Sequence, residues 1–373
     1  MKIEHIEVIE MEMPFDKGIS KKDQVGFLNW GKLDFCLVKV ETSSGITGWG
    51  DAFSFQCRRP VAEALKHMVI PRVMGKDALD VVNINSELQQ ALHLFGRYGI
   101  TMFAISGLDI ALWDIASKAA GLPLYQFLGA SRIKNVPAYA SLFRYEDPDC
   151  VGDRVDFAKN LGYEKIKLHE IGIDEVRTAR NTAGEKALLM VDVNCPWTPE
   201  EARIMALKMK QFDIHWLEEP INPPEDFDSL AKLASETDVP IAAGENACTA
   251  FEFKKMIRSG AVSFVQPSVA KVGGITEFRK IAALAEVFGT QLMPHSPYFG
   301  PGFLATLHLA QSIANPGWIE RIFIEPEAAL YPREIFDPVG GSFKVSNGIG
   351  PVSYTHLRAH ETRHDLVCRL LLE

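Results

Sequence analysis

Three acidic residues recur at a spacing that could build a metal site. Asp192 in VDVN, Glu218 in WLEEP and Glu245 in AAGEN each close a short apolar run, at successive intervals of 26 and 27 residues. One strand plus one helix has this length, and in a barrel of repeated βα units the strand ends lie side by side on one rim. Neighbouring carboxylates repel one another unless a cation neutralises them, and Mg²⁺ prefers oxygen ligands. Helix caps or surface ion pairs would explain one such acid but not three in one register, so we predict one Mg²⁺ ion here.

Basic side chains at two other strand ends could move protons. In EKIKLH, the side chains of Lys165, Lys167 and His169 share one face because strand residues alternate with period two. A lysine beside the metal would attract a substrate carboxylate, and histidine is suited to proton transfer near neutrality. His295, in MPHSPYFGPG, lies between two prolines ahead of a glycine-rich turn, which is typical of a site loop. The same rim is therefore predicted to hold acid and base groups.

Two patterns of elements surround these residues. Residues 1 to about 50 alternate apolar and polar positions around turn signals, which predicts antiparallel strands, and residues 58–128 carry a helical period. From residue 136 onward, amphipathic helical segments alternate with eight β-rich segments: VPAYAS, EKIKLH, LLMVDV, IHWLEE, PIAAGE, VSFVQP, TQLMPH and WIERIFIE. This alternation predicts a parallel sheet closed into a barrel. An open doubly wound sheet would not explain polar residues at the end of nearly every strand.

Composition limits the class of partner. The 373 residues include 48 acidic and 39 basic ones, giving a net charge of −9, which argues against nucleic acid or an anionic membrane and favours a small soluble substrate. The first residues, MKIEHIEVIEMEMP, alternate as a strand does, unlike a signal peptide, and we find no uninterrupted apolar stretch of about 18 residues. The six scattered cysteines form no CxxC pair and are typical of reduced thiols. We therefore expect a cytoplasmic enzyme.

Several of these segments resemble the enolase superfamily, specifically its mandelate racemase subgroup, over roughly residues 1 to 350. AISGLDIALWDIASKAAGLPLYQFLG, residues 104–129, resembles the linker helix between capping domain and barrel. VDVN, WLEEP and GEN resemble the three metal-ligand strands, whereas QPSVAKVGG, PHSPYFGPG and WIER resemble the sixth, seventh and eighth strands. The resemblance implies ligand roles for Asp192, Glu218 and Glu245. It also implies that Glu320 of WIER lies beside the substrate carboxylate.

The resemblance further implies an α/β fold, a modified TIM barrel (β/α)7β with an α+β capping domain. We expect the N-terminal capping domain at 1–128, the barrel at 129–325 and a C-terminal return to the capping domain at 326–352. Residues 353–373 are basic and rich in histidine and have no counterpart in the family, so we expect them to be a non-native tail. We also expect a homo-oligomer.

Two positions depart from the family pattern. The family's Lys-Xaa-Lys pair falls on Lys167 and His169, so a histidine replaces the lysine that serves as a base in the racemase. The aspartate that orients the catalytic histidine should follow Gln266-Pro267, where this chain has Ser268. Without that carboxylate, His295 loses a stabilising partner and its tautomer is less firmly fixed.

The implied reaction removes a proton from the carbon beside a substrate carboxylate and passes through a metal-stabilised enolate. Mg²⁺, Lys167 and a hydrogen bond from Glu320 would stabilise the developing charge, with His169 and His295 flanking the α-carbon. Because the two flanks are unlike, we predict dehydration of a sugar acid or related hydroxy acid to a 2-keto acid, with His169 as base and His295 as acid. Racemisation, epimerisation or cycloisomerisation of an α-substituted carboxylate is the alternative, and a non-catalytic, metal-dependent acid-binding barrel is a more remote one.

The capping domain is expected to set substrate choice, with loops at residues 15–30 and 53–59 closing over the barrel mouth. We assign substrate binding to six residues: Asn194, Lys165, Trp30, Phe53, Ser268 and Tyr298. The aromatic residues among them could equally pack between the domains. Arg58 or Arg59 could bind a distal hydroxyl or carboxylate of the substrate. The lysine base of related cycloisomerases aligns with Ser268, so Lys271 in AKVGG is given no catalytic role.

Overall fold

A computed structural model describes residues 1–18, 30–327 and 330–350 of the chain. Two sequence-based expectations lie outside these residues. One is the predicted tail at 353–373, and the other is the part of the predicted lid loop at 19–29.

The N-terminal region contains the predicted antiparallel sheet. Its long strands are β1 (Ile3–Asp16), β2 (Lys32–Thr42) and β3 (Thr47–Ala52). They pair in the order β1–β2–β3, and Gly45 supplies the positive φ of +79° in the turn between β2 and β3. The four consecutive residues 35–38 of β2 are all buried, so the middle of this strand is covered on both faces.

Four α-helices follow the sheet: α1 (Arg58–Ala64), α2 (Val81–Ala91), α3 (Gly99–Ala119) and α4 (Leu124–Phe127). Helix α3 packs directly on β3 because Gly50 has no side chain. A Cβ atom there would overlap the carbonyl oxygen of Gly107. By length and hydropathy alone α3 could cross a membrane, but 83% of its most apolar window is buried inside the protein. Its apolar character is therefore explained by its position in the core.

The barrel contains all eight predicted strands: β4 (Val136–Ser141), β5 (Lys165–Leu168), β6 (Leu188–Asp192), β7 (Ile214–Glu218), β8 (Ile241–Ala243), β9 (Phe264–Val265), β10 (Gln291–Leu292) and β11 (Ile319–Ile322). Seven helices alternate with them: α5 (Pro148–Asn160), α6 (Ile173–Ala183), α7 (Pro199–Met209), α8 (Phe227–Thr237), α9 (Thr249–Arg258), α10 (Gly274–Phe288) and α11 (Pro301–Ser312). Neighbouring strands pair in parallel from β4 to β10, and β11 pairs with β4. The predicted (β/α)7β fold is confirmed. No ladder joins β10 to β11 in the part of the chain that the structure describes.

Local sequence signals explain where several barrel helices begin. Thr198 and Glu201 form a reciprocal capping box at the start of α7, and Pro199 occupies the first helical position. Asp147 and Asp226 cap α5 and α8 by accepting hydrogen bonds from backbone N–H groups. These caps fix where each helix leaves the loop at the carboxyl end of the preceding strand, which is the rim that carries the site.

The C-terminal segment differs from the prediction in two details. The predicted eighth strand WIERIFIE ends as β11 at Ile322, and its last residue begins β12 (Glu325–Pro326), which pairs with β1 of the capping sheet. The return to that sheet thus begins at Glu325, one residue before the predicted boundary at 326. Strand β13 (Ser342–Phe343) pairs with β4 of the barrel rather than with the capping sheet. The remaining domain boundaries stay predictions.

A layer of large side chains fills the barrel beneath the acids. Its members are Tyr139, Met190, Trp216, Ala242 and Met293, contributed by five different strands or strand ends. Met190 and Trp216 each lie two residues before a predicted metal ligand, so strand alternation directs them to the same interior face. The indole Nε1 of Trp216 donates a 2.8 Å hydrogen bond to Oε2 of Glu218. The packed layer therefore supports the site from below.

Candidate active site

The three predicted metal ligands meet at the carboxyl ends of adjacent strands. Asp192 ends β6 and Glu218 ends β7, where the two residues are partners in the ladder, and Glu245 follows β8. One carboxylate oxygen from each residue lies within 4.8 Å of the others. The structure thus brings these acids together as their spacing indicates, and their role as ligands stays a prediction.

The electrostatics of this acid cluster fit a divalent cation. Burial raises the pKa of Glu218 well above its usual value, and the charge of Asp192 adds to the effect. Burial acts in the same direction on the other two acids. Lys167 nevertheless holds the pKa of Asp192 well below its usual range, and His295 lowers the pKa of Glu245 to about 2. Largely buried and unevenly neutralised carboxylate oxygens of this kind suit Mg²⁺.

Lys167 is the cation at the centre of the acid cluster. Its Nζ lies 2.8 Å from Oε1 of Glu218, 3.0 Å from Oε1 of Glu320 and 3.2 Å from Oδ2 of Asp192. Burial alone would lower the pKa of Lys167, but the surrounding carboxylates raise it well above its usual value. The side chain is therefore a fixed ammonium ion on the floor of the site.

Glu320, the residue expected beside the substrate carboxylate, lies in β11 next to Lys167. Burial is the largest single influence and would raise its pKa, but Lys167, His295 and smaller contributions together lower the pKa below its usual value. In this state Glu320 is a carboxylate that accepts hydrogen bonds rather than donating them. Its Oε2 atom has no hydrogen-bond partner among the described residues, and Glu320 lines the cavity described below.

His169 lies at one end of the acid cluster. Its Nε2 is 3.2 Å from Oδ2 of Asp192, and its Nδ1 contacts the carbonyl oxygen of Leu142. A carbonyl oxygen only accepts, so Nδ1 carries a proton and Nε2 is the nitrogen that faces the acids. Arg144 holds the same loop by donating a 2.6 Å hydrogen bond from Nε to the carbonyl oxygen of His169. The ring is therefore oriented by the backbone.

His295 lies at the other end of the cluster. Its Nε2 is 2.9 Å from Oε2 of Glu245, and its Nδ1 is 3.4 Å from the hydroxyl of Tyr298. That hydroxyl lies 2.6 Å from Oγ of Ser268, the residue that replaces the expected aspartate. Hydroxyls either donate or accept, so this pair fixes the tautomer of His295 less firmly than a carboxylate would.

Asn194, which we predicted to bind substrate, also positions Asp192, a predicted metal ligand. Its backbone N–H and its Nδ2 donate hydrogen bonds of 3.0 and 2.9 Å to Oδ1 of Asp192. The residue has a left-handed backbone with φ of +56°, which asparagine tolerates better than most residues. This turn directs its side chain back toward the acid.

A cavity of about 630 Å³ lies between the barrel rim and the capping domain. Four of the six predicted substrate-binding residues line it: Trp30, Phe53, Asn194 and Tyr298. Ser268 is fully buried and contacts Tyr298. The prediction for Lys165 is not supported, because its Nζ lies 5.1 Å from the Trp318 ring and the residue does not line the cavity. Lys165 is the first residue of β5 and so lies far from the rim.

Sequence reasoning missed several groups that shape the rim. Glu219, the second glutamate of WLEEP, accepts a 3.0 Å hydrogen bond from the backbone N–H of Gly244. Burial raises the pKa of Glu219 to about 7. Arg144 follows β4, where the rule of polar residues after strands could have found it. Arg58, considered for a distal substrate group, instead bonds Asp34 and does not line the cavity.

Two family models match the chain. One, described as mandelate racemase / muconate lactonizing enzyme, N-terminal domain, matches residues 20–129. The other, described as enolase C-terminal domain-like, matches residues 152–351. Together they span most of the chain.

Curated relatives and a solved structure extend this similarity. Arabinonate dehydratase from Saccharolobus solfataricus is 34% identical over 297 residues, which are 77% of this chain and 79% of that protein. L-talarate/galactarate dehydratase from Salmonella typhimurium is 35% identical over 295 residues, which are 76% and 72% of the two chains. A crystal structure of a racemase from Streptomyces coelicolor with bound magnesium is 28% identical, with a TM-score of 0.79. That match covers 94% of this chain and 96% of the racemase chain.

Proposed function

Because the chain belongs to the mandelate racemase/muconate lactonizing enzyme family of the enolase superfamily, we propose that it is a Mg²⁺-dependent dehydratase of a sugar acid or related hydroxy acid. The observation that carries the proposal is the pair of histidines at the two ends of the acid cluster, where His169 contacts Asp192 and His295 contacts Glu245. Dehydration needs a base for the α-proton and an acid for the departing hydroxyl. The arrangement offers one candidate for each.

The floor of the site would bind the substrate carboxylate. Asp192, Glu218 and Glu245 would hold Mg²⁺, which supplies Lewis-acid stabilisation of negative charge on that carboxylate. Lys167 contributes a fixed positive charge where the enolate charge develops. A substrate carboxylate beside Glu320 would raise the pKa of Glu320, because like charges disfavour ionisation. Glu320 would then donate the hydrogen bond expected of it.

The two histidines would divide the proton transfers. His169 accepts the α-proton at Nε2, because its Nδ1 is already held by the carbonyl oxygen of Leu142. His295, whose Nε2 faces Glu245, donates a proton to the β-hydroxyl as its C–O bond breaks, so that water leaves. The enol that remains becomes the 2-keto acid product. Protons balance, because each histidine is restored by exchange with solvent.

Racemisation, epimerisation or cycloisomerisation is the second candidate. One observation favours it: both histidines contact the same acid cluster, so each could reach the α-carbon of one substrate. One histidine would then remove the proton and the other would return it. A non-catalytic acid-binding barrel has less support, because keeping Lys167, His295 and Glu320 buried beside His169 would be costly without a reaction.

A substrate panel tests the proposal. The protein is incubated with Mg²⁺ and a set of aldonic and aldaric acids, and the formation of 2-keto acid is measured. We expect 2-keto product from at least one sugar acid. Inversion at the α-carbon or a ring-opened or ring-closed isomer without loss of water would instead favour the second candidate.

We also propose that the enzyme acts in the cytoplasm as a homo-oligomer on a small carboxylate. The acidic net charge of −9 supports a soluble metabolite rather than nucleic acid as the ligand. Size-exclusion chromatography with light scattering would test the oligomer, and a monomer would contradict it.

A further inference from the structure

Lys271 is a buried cation that the proposed chemistry does not use. Its residue is 7% exposed, it follows β9, and it lines the cavity on the side of the capping domain. Among the described residues its Nζ has neither a hydrogen bond nor a carboxylate within ion-pair distance. The ammonium group instead lies over aromatic rings: Nζ is 4.6 Å from the centre of the Phe53 ring and 5.9 Å from that of Phe103.

The backbone around Lys271 is fixed on both sides of the domain boundary. The N–H of Lys271 donates a 2.9 Å hydrogen bond to the carbonyl oxygen of Ser268, and the carbonyl oxygen of Lys271 accepts from the thiol of Cys248. The N–H of Phe53 donates a 3.2 Å hydrogen bond to the carbonyl oxygen of Ala270. The ammonium group is thus held between barrel and cap by neighbours that are themselves anchored.

Two other cations near the cavity already have polar partners. Lys167 contacts three carboxylates, and the guanidinium of Arg144 donates to the carbonyl oxygens of His169 and Val193. Two acids on the cap side also have partners of their own: Asp34 forms an ion pair with Arg58, and Asp51 accepts a hydrogen bond from the backbone N–H of Gly302. The charge of Lys271 helps to lower the pKa of Glu245 from beyond ion-pair distance, but Glu245 already contacts His295. A buried ammonium ion with no carboxylate in contact is costly, and two aromatic rings offset only part of that cost.

We infer that Lys271, with Phe53 and Phe103, is the receptor for a second carboxylate at the far end of the substrate, so that the substrate is a hydroxy dicarboxylate. This inference rests on the proposed function for the reacting end, where Lys167 and Glu320 receive the first carboxylate. Lys271 lies on the cap side of the cavity and Lys167 on the barrel floor, so one carboxylate is assigned to each. A single lysine beside apolar rings suits a singly charged carboxylate better than a phosphate, which needs more donors.

The test measures binding rather than turnover. Glutarate and adipate, which have no hydroxyl to eliminate, are compared with pentanoate and hexanoate by calorimetry on the Mg²⁺-loaded protein. We expect at least one dicarboxylate to bind more tightly than the monocarboxylate of the same length. Lys271→Met should weaken that dicarboxylate by about tenfold to a hundredfold, the range for a hydrogen bond to a charged group, and leave the monocarboxylate unchanged. Lys271→Arg should restore most of the loss.

Lys39→Met is the matched control, because Lys39 also lies over an aromatic ring, 5.9 Å from that of Trp49, but does not line the cavity. It should leave both classes of ligand unaffected. Equal weakening of mono- and dicarboxylates in Lys271→Met would show that Lys271 only joins the two domains, and no weakening of either would also overturn the inference. If Lys271→Met does not fold, Lys271→Gln is measured in its place against the same two outcomes.

Failure of the inference can be told from failure of the proposed function. Dicarboxylate binding that depends on Lys271, without turnover of any hydroxy acid, would sustain the receptor and contradict the dehydratase. If a sugar monoacid is turned over equally well by Lys271→Met, and dicarboxylates are not preferred, the dehydratase is sustained and the receptor is contradicted. A large loss of kcat for both monoacids and diacids would mean that Lys271 acts at the reacting carbon, which contradicts the receptor.

Discussion

His169 and His295 reach the acid cluster in similar ways but are held differently. Each places Nε2 about 3 Å from a predicted metal ligand, Asp192 for one and Glu245 for the other. Behind His169 stands the carbonyl oxygen of Leu142, which can only accept a hydrogen bond. Behind His295 stands the hydroxyl of Tyr298, which can accept or donate. One flank therefore fixes a tautomer and the other permits a choice, which suits a base and an acid with separate roles.

The loops behind the two histidines are anchored in the same manner. Glu170, next to His169, accepts a 2.6 Å hydrogen bond from the backbone N–H of Tyr145, and Asp51 of the capping sheet accepts from the N–H of Gly302 beyond His295. Burial raises the pKa of each anchor to about 7. The difference between the flanks thus lies at the imidazole rings and not in their supporting loops.

Removing the divalent ion should cause the largest loss, because both flanks share it. After exhaustive chelation we expect activity on the best hydroxy acid to fall by at least about a thousandfold, since metal stabilisation of an enolate contributes several kcal/mol. Initial rates before and after Mg²⁺ is restored are the measurement. Full activity in the chelated protein would show that the reaction between the two histidines does not need a divalent ion.

Replacing either histidine by asparagine should be the next largest effect. His169→Asn and His295→Asn are each expected to lower kcat by about 10²–10⁴-fold, the usual contribution of a general acid or base. His308→Asn is the control away from the site. Because His308 accepts a hydrogen bond from the backbone N–H of Tyr125, thermal unfolding is used to verify that this variant is folded. If either histidine variant kept kcat within a fewfold of the wild-type value, that histidine would not be the general acid or base assigned here.

The loop anchors predict a pH dependence of stability. Asp51 has an ordinary pKa of 3.8, which burial raises to about 7 in the folded protein. Between these two pH values the folded state keeps a proton that the unfolded state releases. The contribution of Asp51 to the free energy of unfolding is therefore largest at low pH, and it is lost as pH rises through about 7. Relative to Asp51→Asn, the wild type should lose up to about 4 kcal/mol of unfolding free energy from pH 4 to pH 8.

Denaturant unfolding of both proteins at several pH values measures this difference. Glu170→Gln, at the anchor of the other flank, should change in the same direction because its pKa is also raised to about 7. Opposite signs for the two anchors would show that the supporting loops differ as much as the rings do. A difference that does not vary with pH would contradict the account of Asp51.

The hydroxyl pair behind His295 should have the smallest effect. Tyr298→Phe removes one hydrogen-bond partner from the ring, so kcat should fall about 2- to 12-fold, corresponding to 0.5–1.5 kcal/mol. Steady-state kinetics should show this loss in kcat, with substitution of Ser268 by alanine having a smaller effect. Tyr145→Phe is the matched control, because Tyr145 is buried near the other flank and does not line the cavity. Equal losses of kcat in Tyr298→Phe and Tyr145→Phe would show that the hydroxyl of Tyr298 has no specific role at His295.

The sequence was sufficient to predict the barrel and the acid cluster for a physical reason. The βα period repeats, so residues one period apart must lie on the same rim, and Asp192, Glu218 and Glu245 satisfy this rule. The same logic brought Lys167 and His169 to the site. It predicted a face of β5 for Lys165 but not the height of Lys165 along the strand. That height decides whether a residue on this face reaches the cavity.

The remaining features depend on contacts between distant loops. Tyr298 meets Ser268 across 30 residues of sequence, and Phe53 meets Lys271 across the boundary between cap and barrel. Neither contact follows from periodicity, because loop paths are set by packing. Ser268 could be identified as a departure from the family pattern, whereas its partner Tyr298 was assigned only to substrate binding.

The most direct test of the account follows the α-proton itself. The Mg²⁺-loaded His169→Asn and His295→Asn variants are incubated with a substrate in D₂O, and exchange of the α-proton is followed by NMR. We predict that His295→Asn still exchanges this proton while forming no 2-keto acid, and that His169→Asn does neither. Exchange that persists in His169→Asn and disappears in His295→Asn would contradict the assignment of base and acid to the two flanks.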